Sequence, residues 1–149
     1  MITFNTPVYV LLSTYNGEKY IEVQLNSLLR QIYTNINIII RDDGSSDQTI
    51  TILKRYAEGY SNIYIILGEN IGTIASFMAL LELHKTSEGY FAFCDQDDIW
   101  LPDKIMRAIS TLEASENPAN TLYFSRLALV DQNGKNLQQL SDVPSYLTF

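Results

Sequence analysis

Three carboxylates and an amide stand together at Asp95-Gln96-Asp97-Asp98. Aspartates packed this closely repel one another, and gathering them is costly unless a cation compensates. Hard oxygen ligands select Mg2+ or Mn2+. Mg2+ usually takes one or two carboxylates and leaves substrate phosphates to complete its shell. The same residues would also serve as a solvated acidic turn ahead of a helix opened by Pro102, so the cluster alone leaves both readings standing. An EF-hand is excluded, because the glycine and distal glutamate of that loop are absent.

A second acidic group, Asp42-Asp43-Gly44-Ser45-Ser46-Asp47, has the composition of a helix-capping turn, with Gly44 suited to a positive φ. Capping accounts for Ser45, Ser46 and Asp47. The pair Asp42 and Asp43 exceeds that need, and a carboxylate there could accept a hydrogen bond from the imide N–H of a pyrimidine. Tyr15 offers a ring that could stack on a nucleobase, a contact worth roughly 1–3 kcal/mol. It is one of ten tyrosines, however, and packing explains most of them. Trp100 reads as a packing anchor for the acidic loop.

Other chemistries lack their residues. One histidine, His84, and one cysteine, Cys94, make neither a zinc site nor a nucleophile–base pair. No Gly-x-Gly-x-x-Gly and no Gly-Lys-Ser/Thr loop follows any expected strand, which weakens dehydrogenase and P-loop readings. The net charge of −7 speaks against nucleic acid, which needs a cationic stripe. It permits a phosphorylated ligand bridged by a carboxylate-held cation.

These groups need elements to hold them. Val8-Tyr9-Val10-Leu11-Leu12, Asn37-Ile38-Ile39-Ile40-Arg41, Ile63-Tyr64-Ile65-Ile66-Leu67 and Tyr90-Phe91-Ala92-Phe93-Cys94 are apolar, β-rich runs of the kind buried on both faces. Helical spacing follows each: Ile21, Leu25, Leu28, Leu29 and Ile32; Ile50, Leu53 and Ala57; Ile74, Phe77, Met78 and Leu81; Ile105, Ile109 and Leu112. A fifth strand is expected over Leu122 to Val130, ending at an Asn133-Gly134 hairpin signal.

Four strand–helix alternations call for an α/β fold with a mostly parallel central sheet and helices on both faces. In such sheets ligands bind beyond the carboxyl ends of the strands. Ser13-Thr14-Tyr15-Asn16, Asp42-Asp43-Gly44-Ser45, Asn70-Ile71-Gly72 and Asp95-Gln96-Asp97-Asp98 each follow a strand, so all four should meet on one sheet edge. The 149 residues are expected to form one domain, 1–149, incomplete where the alternation fades after about Gly134. The single cysteine, the absence of a signal-peptide pattern and the absence of a long apolar run point to a cytoplasmic protein, at most peripheral to the inner face of a membrane.

As a set the motifs resemble the family 2 glycosyltransferases, whose fold is the Rossmann-like GT-A type. The matching pieces are Leu12-Ser13-Thr14-Tyr15-Asn16-Gly17, Arg41-Asp42-Asp43-Gly44-Ser45-Ser46-Asp47, Asn70-Ile71-Gly72 and the run from Phe93 to Lys104. The Asp-Gln-Asp-Asp-Ile-Trp-Leu-Pro form is similar to bacterial enzymes that add rhamnose and related sugars to surface polysaccharides. The resemblance implies a hexosyltransferase that passes a sugar from a dTDP- or UDP-linked donor to a saccharide or lipid-linked acceptor, with inversion. It implies that Ser13 and Tyr15 contact the base and that Asp43 reads its imide. Asp95 would approach the ribose and diphosphate, and Asp97, assisted by Asp98, would hold Mg2+ or Mn2+. The acceptor-activating base is expected in an acceptor-binding half. The later acids Glu113, Glu116, Asp131 and Asp142 are assigned no such role, so the catalytic residue stays unassigned.

Two other classes compete. One is a non-catalytic nucleotide-sugar-binding remnant. The other is a phosphoryl-transfer or receiver-type α/β domain, which would want a lysine after its last strand, where only Lys135 stands nearby. An incomplete domain would also leave an apolar face bare, and homo-oligomerisation is the expected consequence.

Overall fold

The computed structural model describes residues 5–131 and 136–139. The chain alternates as expected: β1 (Val8–Thr14), α1 (Ile21–Leu29), β2 (Ile36–Asp42), α2 (Thr49–Gly59), β3 (Ile63–Leu67), α3 (Thr73–His84), β4 (Tyr90–Asp95) and α4 (Lys104–Glu113). These four strands form one parallel sheet in the order β3-β2-β1-β4. The chain therefore steps outward from β1 to β3 and then crosses back to place β4 on the other side of β1. Such a reversal opens a crevice at the carboxyl ends of the two strands that flank it, here β1 and β4.

Alternate residues of each strand face opposite sides of the sheet, and register decides which neighbours share a side. Leu11 and Ile39 are paired across β1 and β2, and Leu80 of α3 packs on both in a fully buried cluster. Leu12 and Cys94 are paired across β1 and β4 on the opposite face, where the Gln24 side-chain amide of α1 donates to the Cys94 sulfur at 2.6 Å. Tyr56 of α2 reaches the carbonyl of Glu22 in α1 at 3.5 Å, so α1 and α2 lie together. Helices thus cover both faces.

Three expectations need correction. The apolar face assigned to α3 is rotated in part: Phe77 and Leu81 pack against the core as expected, but Ile74 is 81% exposed and Met78 is exposed, and Ser76 and Leu80 are buried in their place. The reason is that α3 carries apolar residues nearly all round, so periodicity alone did not choose a face. Ile32 lies beyond the end of α1 and is exposed; its amide donates to the carbonyl of Pro102 instead of extending the helix. The fifth strand is shorter than the run 122–130. Only β5 (Ala128–Val130) pairs, antiparallel with β6 (Asn136–Gln139), and the Asn-Gly turn expected between them lies outside the described residues. Among the described residues, 122–127 carry no strand assignment, and the ladder begins only at Ala128.

Two compact units divide the chain, Met1–Arg107 and Ala108–Phe149. The first holds the parallel sheet; the second holds the β5–β6 hairpin and a 3-10 turn at Pro118–Asn120. Among the described residues no helix is long and apolar enough to cross a membrane.

The rotated α3 face gives a direct check. Leu80→Ala should cost about 2–5 kcal/mol by urea denaturation, the usual loss for a core leucine. Ile74→Ala should stay within about 0.5 kcal/mol of the parent. Equal losses at both positions would mean that α3 presents the other face to the sheet.

Candidate functional site

The four polar clusters do converge. A cavity of about 300 Å³ beyond the ends of β1 and β4 is lined by Ser13, Tyr15, Asp43, Thr73, Asp95, Gln96 and Asp97. Register explains the meeting of Ser13 and Asp95, which are direct partners across β1 and β4, with Arg41 flanking Ser13 on β2. All three share the α3 side of the sheet.

Asp43 is the most tightly held acid of this wall. It is 2% exposed and forms an ion pair with Arg41, itself 7% exposed. Its Oδ1 also accepts the Ile71 amide at 3.0 Å, and its Oδ2 accepts the Gly72 amide at 2.9 Å. Burial pushes the Asp43 carboxyl up; the Ile71 amide, the Arg41 side chain and the Gly72 amide outweigh it and hold the group below the ordinary 3.8. Arg41 reaches further, donating to the Ser76 hydroxyl at 3.3 Å and to the Glu69 carbonyl at 3.0 Å. The Ser13 hydroxyl donates to Ser76 at 2.7 Å. A Cβ on Gly68 would strike the Arg41 guanidinium, so the loop before α3 passes close over this network. One buried pair therefore fixes the end of β2, the Asn70-Ile71-Gly72 loop and the first turn of α3.

The loops after β1 and β2 are also tied to each other. The Asn16 amide donates to the Ser45 hydroxyl and the Ser46 amide to the Asn16 side chain, each at 2.9 Å. At the start of α2 the Asp47 Oδ1 accepts the Thr49 amide and the Glu18 Oε2 accepts the Gln48 amide, each at 2.9 Å; the serines expected to cap serve the cross-loop bridge instead. Gly44 has φ 82°, the left-handed conformation its place in the turn suggested.

The acidic loop looks different from Asp43. Asp95 and Asp97 are exposed and line the cavity, while Asp98 is half-buried and is not among the lining residues. Burial, followed by the charges of Asp95 and Asp97, pushes the Asp98 carboxyl above the ordinary 3.8, and Lys104 opposes the shift only in part. A divalent cation would relieve this crowding. Among the described residues no three His, Cys, Asp or Glu side chains form a ready-made cage. Asp95, Asp97 and Asp98 are the carboxylates that could contribute one or two oxygens to an ion such as Mg2+ or Mn2+, with ligand oxygens completing its shell. Trp100 is buried, as its packing role required; its amide donates to Ser27 at 3.1 Å and its ring lies beneath Lys104.

Of the residues singled out in the sequence, Ser13, Tyr15, Asp43, Asp95 and Asp97 meet at the cavity. Glu113, Glu116 and Asp131 belong to the second unit, and Asp142 and Lys135 lie outside the described residues. Sequence reasoning missed Thr73, Gln96 and the Arg41–Ser76 connection. Arg41 carried a readable signal, since a charged residue closing an otherwise apolar buried strand must be paired. Gln96 and Thr73 carried none beyond adjacency to motifs.

Comparison with known proteins agrees with this geometry. The sequence model described as "Glycosyl transferase family 2" matches residues 9–134. A dTDP-rhamnosyl transferase of Shigella flexneri, RfbG, is 37% identical over 130 residues, which are 85% of this chain and 44% of that protein. The Bacillus subtilis (strain 168) glycosyltransferase TuaG, named for teichuronic acid biosynthesis, is 31% identical over 150 residues, 100% of this chain and 58% of its own length. The crystal structure of S. aureus TarS 1-349 in complex with UDP-GlcNAc superposes with a TM-score of 0.63 at 29% identity, covering 72% of this chain and 31% of that one. The chain thus spans about half the length of such relatives, or less.

The Arg41–Asp43 pair makes a pH-dependent prediction. Because the folded carboxyl sits below its unfolded value, its contribution is complete above about pH 4 and is lost as pH falls through the lower folded value. Asp43→Asn should cost about 3 kcal/mol at pH 7, as expected when a buried charge loses its partner. In urea denaturation the gap to the parent should narrow from pH 4 to pH 3. A gap that stays constant over that range would remove Asp43 as its source.

Proposed function

The chain belongs to glycosyl transferase family 2 and has the GT-A fold, and on that premise we propose that it forms the donor-binding part of an enzyme of cell-surface polysaccharide synthesis. The reaction passes a sugar from a dTDP- or UDP-linked donor to a saccharide or lipid-linked acceptor, with metal dependence and inversion. The observation that carries the reading is the convergence of Ser13, Tyr15, Asp43, Asp95 and Asp97 on one cavity at the point where the strand order reverses.

Within that cavity the roles divide by environment. Tyr15, 47% exposed, offers a ring for the base to stack on. Asp43 has Oδ2 occupied by one amide only, which leaves a lone pair for the base imide N–H. Its fixed, ionised state makes it an acceptor and never a donor, which suits uracil or thymine N3–H. Ser13 is pinned through Ser76 and sets the floor beneath the base. Asp95 and Asp97 face the diphosphate end. Mg2+ or Mn2+ bound by Asp97, with Asp98 as support, would supply neutralisation of the charge that develops on the leaving nucleoside diphosphate. Residues 1–149 are read as a single donor-binding domain that is incomplete on the acceptor side, where the base that deprotonates the acceptor hydroxyl would lie. The bare apolar residues Ile74, Met78 and Phe93 support self-association of this chain. Work at the cytoplasmic face of a membrane suits a lipid-linked acceptor.

Calorimetric titration with UDP, dTDP and GDP, each with and without Mn2+, tests the reading. The pyrimidine diphosphates should bind in a Mn2+-dependent manner, and the dependence should vanish in Asp97→Ala. In Asp43→Asn the preference over GDP should shrink. Failure of every diphosphate to bind would sink the assignment, and equal binding of all three would retire the base-reading role of Asp43 while sparing the metal site.

A further inference from the structure

Gln96 stands between the two carboxylates that face the cavity, yet its side chain turns to the loop after β1. Its Oε1 accepts the Thr14 hydroxyl at 2.7 Å and the Tyr15 backbone amide at 3.0 Å. Two donors on one oxygen settle which end of the amide faces them, because the Nε2 end cannot accept a hydrogen bond. We infer that Gln96 is a positioning residue: a clamp that locks the acidic loop to the Tyr15 loop and so sets the distance between the base-facing wall and the diphosphate-facing carboxylates. This rests on the nucleotide-sugar reading of the cavity.

The physical case has three parts. A chain segment has two soft dihedrals per residue, so a bolt at Gln96 restrains Asp95 and Asp97 on either side of it. The bolt also holds the Tyr15 amide, the backbone that carries the exposed ring. Finally, the clamp needs an empty space at Gly17. A Cβ there would lie 2.5 Å from Gln96 Oε1 and 2.8 Å from Thr14 Oγ1. Gly17 does not adopt a left-handed conformation, so its backbone makes no demand for glycine. The demand comes from Gln96, which is 79 positions away in the sequence. The Gly17 carbonyl meanwhile accepts the amides of Tyr20 and Ile21, at 2.9 and 3.0 Å, so the same glycine seats the start of α1. The clamp is thereby anchored to a helix and not to another loop.

Four proteins suffice for the test: the parent, Gln96→Ala, Gln96→Glu and Gly17→Ala. Backbone amide exchange by NMR reports the clamp without any ligand, and calorimetry with dTDP and UDP in Mn2+ reports its consequence. Tyr15 should exchange about ten-fold faster or more in Gln96→Ala and Gly17→Ala, the effect of losing on the order of one hydrogen bond. Leu11 and Leu12 in the strand should be unchanged, which separates clamp loss from general loosening. Gln96→Glu keeps an acceptor at the same reach and should keep Tyr15 protected. The dissociation constants for dTDP and UDP should rise about ten-fold in Gln96→Ala and Gly17→Ala. Parent-like exchange at Tyr15 in Gln96→Ala would overturn the clamp whatever the nucleotides do. Faster exchange with unaltered nucleotide affinity would overturn the positioning role. A parent protein that binds neither dTDP nor UDP would remove the nucleotide reading and this role with it, while the exchange data would still stand on the clamp itself.

Discussion

The ion pair between Arg41 and Asp43 is the constraint around which the cavity is arranged. Both partners are almost completely buried at the end of a central strand, where an unpaired charge would be costly. Pairing alone leaves lone pairs and N–H groups to satisfy, and the structure satisfies them with the groups that must be placed. The Ile71 and Gly72 amides close on Asp43, the Glu69 carbonyl closes on Arg41, and Ser76 links Arg41 to Ser13. A loop that would otherwise wander is thus positioned by the hydrogen-bonding demand of two buried charges. Gly68 follows from the same demand, since the guanidinium occupies the volume a side chain there would need.

Much of this was legible in the sequence because a parallel sheet leaves little freedom. Four apolar runs alternating with helical spacing force crossover connections, and crossovers bring the carboxyl ends of the strands to one edge. The polar residues after Leu12, Arg41, Leu67 and Cys94 therefore had to meet, whatever their distance along the chain. Strand order was not legible in that way. Placing β4 beside β1, and so opening the crevice between them, depends on which edge of the sheet the last crossover selects.

What escaped reading fails for identifiable reasons. The α3 segment is apolar on most sides, and the docking of Leu80, with Phe77 and Leu81, onto Leu11 and Ile39 decides its rotation. Ile32 fits a helical repeat, but its amide finds the Pro102 carbonyl, a partner that no local pattern predicts. Residues 122–127 have strand-like composition, yet among the described residues the strand begins only at Ala128. Gln96 is the most instructive omission. Its side chain works on Thr14 and Tyr15, which only the β1–β4 pairing brings within reach.

The two acidic groups at the cavity differ in a way that assigns their work. Asp43 receives an arginine and two amides, so its charge is already compensated and adding a cation would gain little there. The carboxylates at Asp95, Asp97 and Asp98 receive no comparable set. Burial and mutual repulsion raise the Asp98 carboxyl, and Lys104 answers only part of that charge. Cys94, directly before them, offers no soft alternative, because burial pushes its thiol far above its ordinary value and leaves it protonated. A cation arriving at this cavity therefore meets uncompensated carboxylates at the acidic-loop end only. On the proposed reading, the compensated acid would accept a hydrogen bond and the uncompensated ones would take metal and diphosphate. Under the proposed function, that asymmetry would orient a nucleotide along the crevice, base toward Asp43 and phosphates toward Asp97, before any contact from an acceptor-binding half is required.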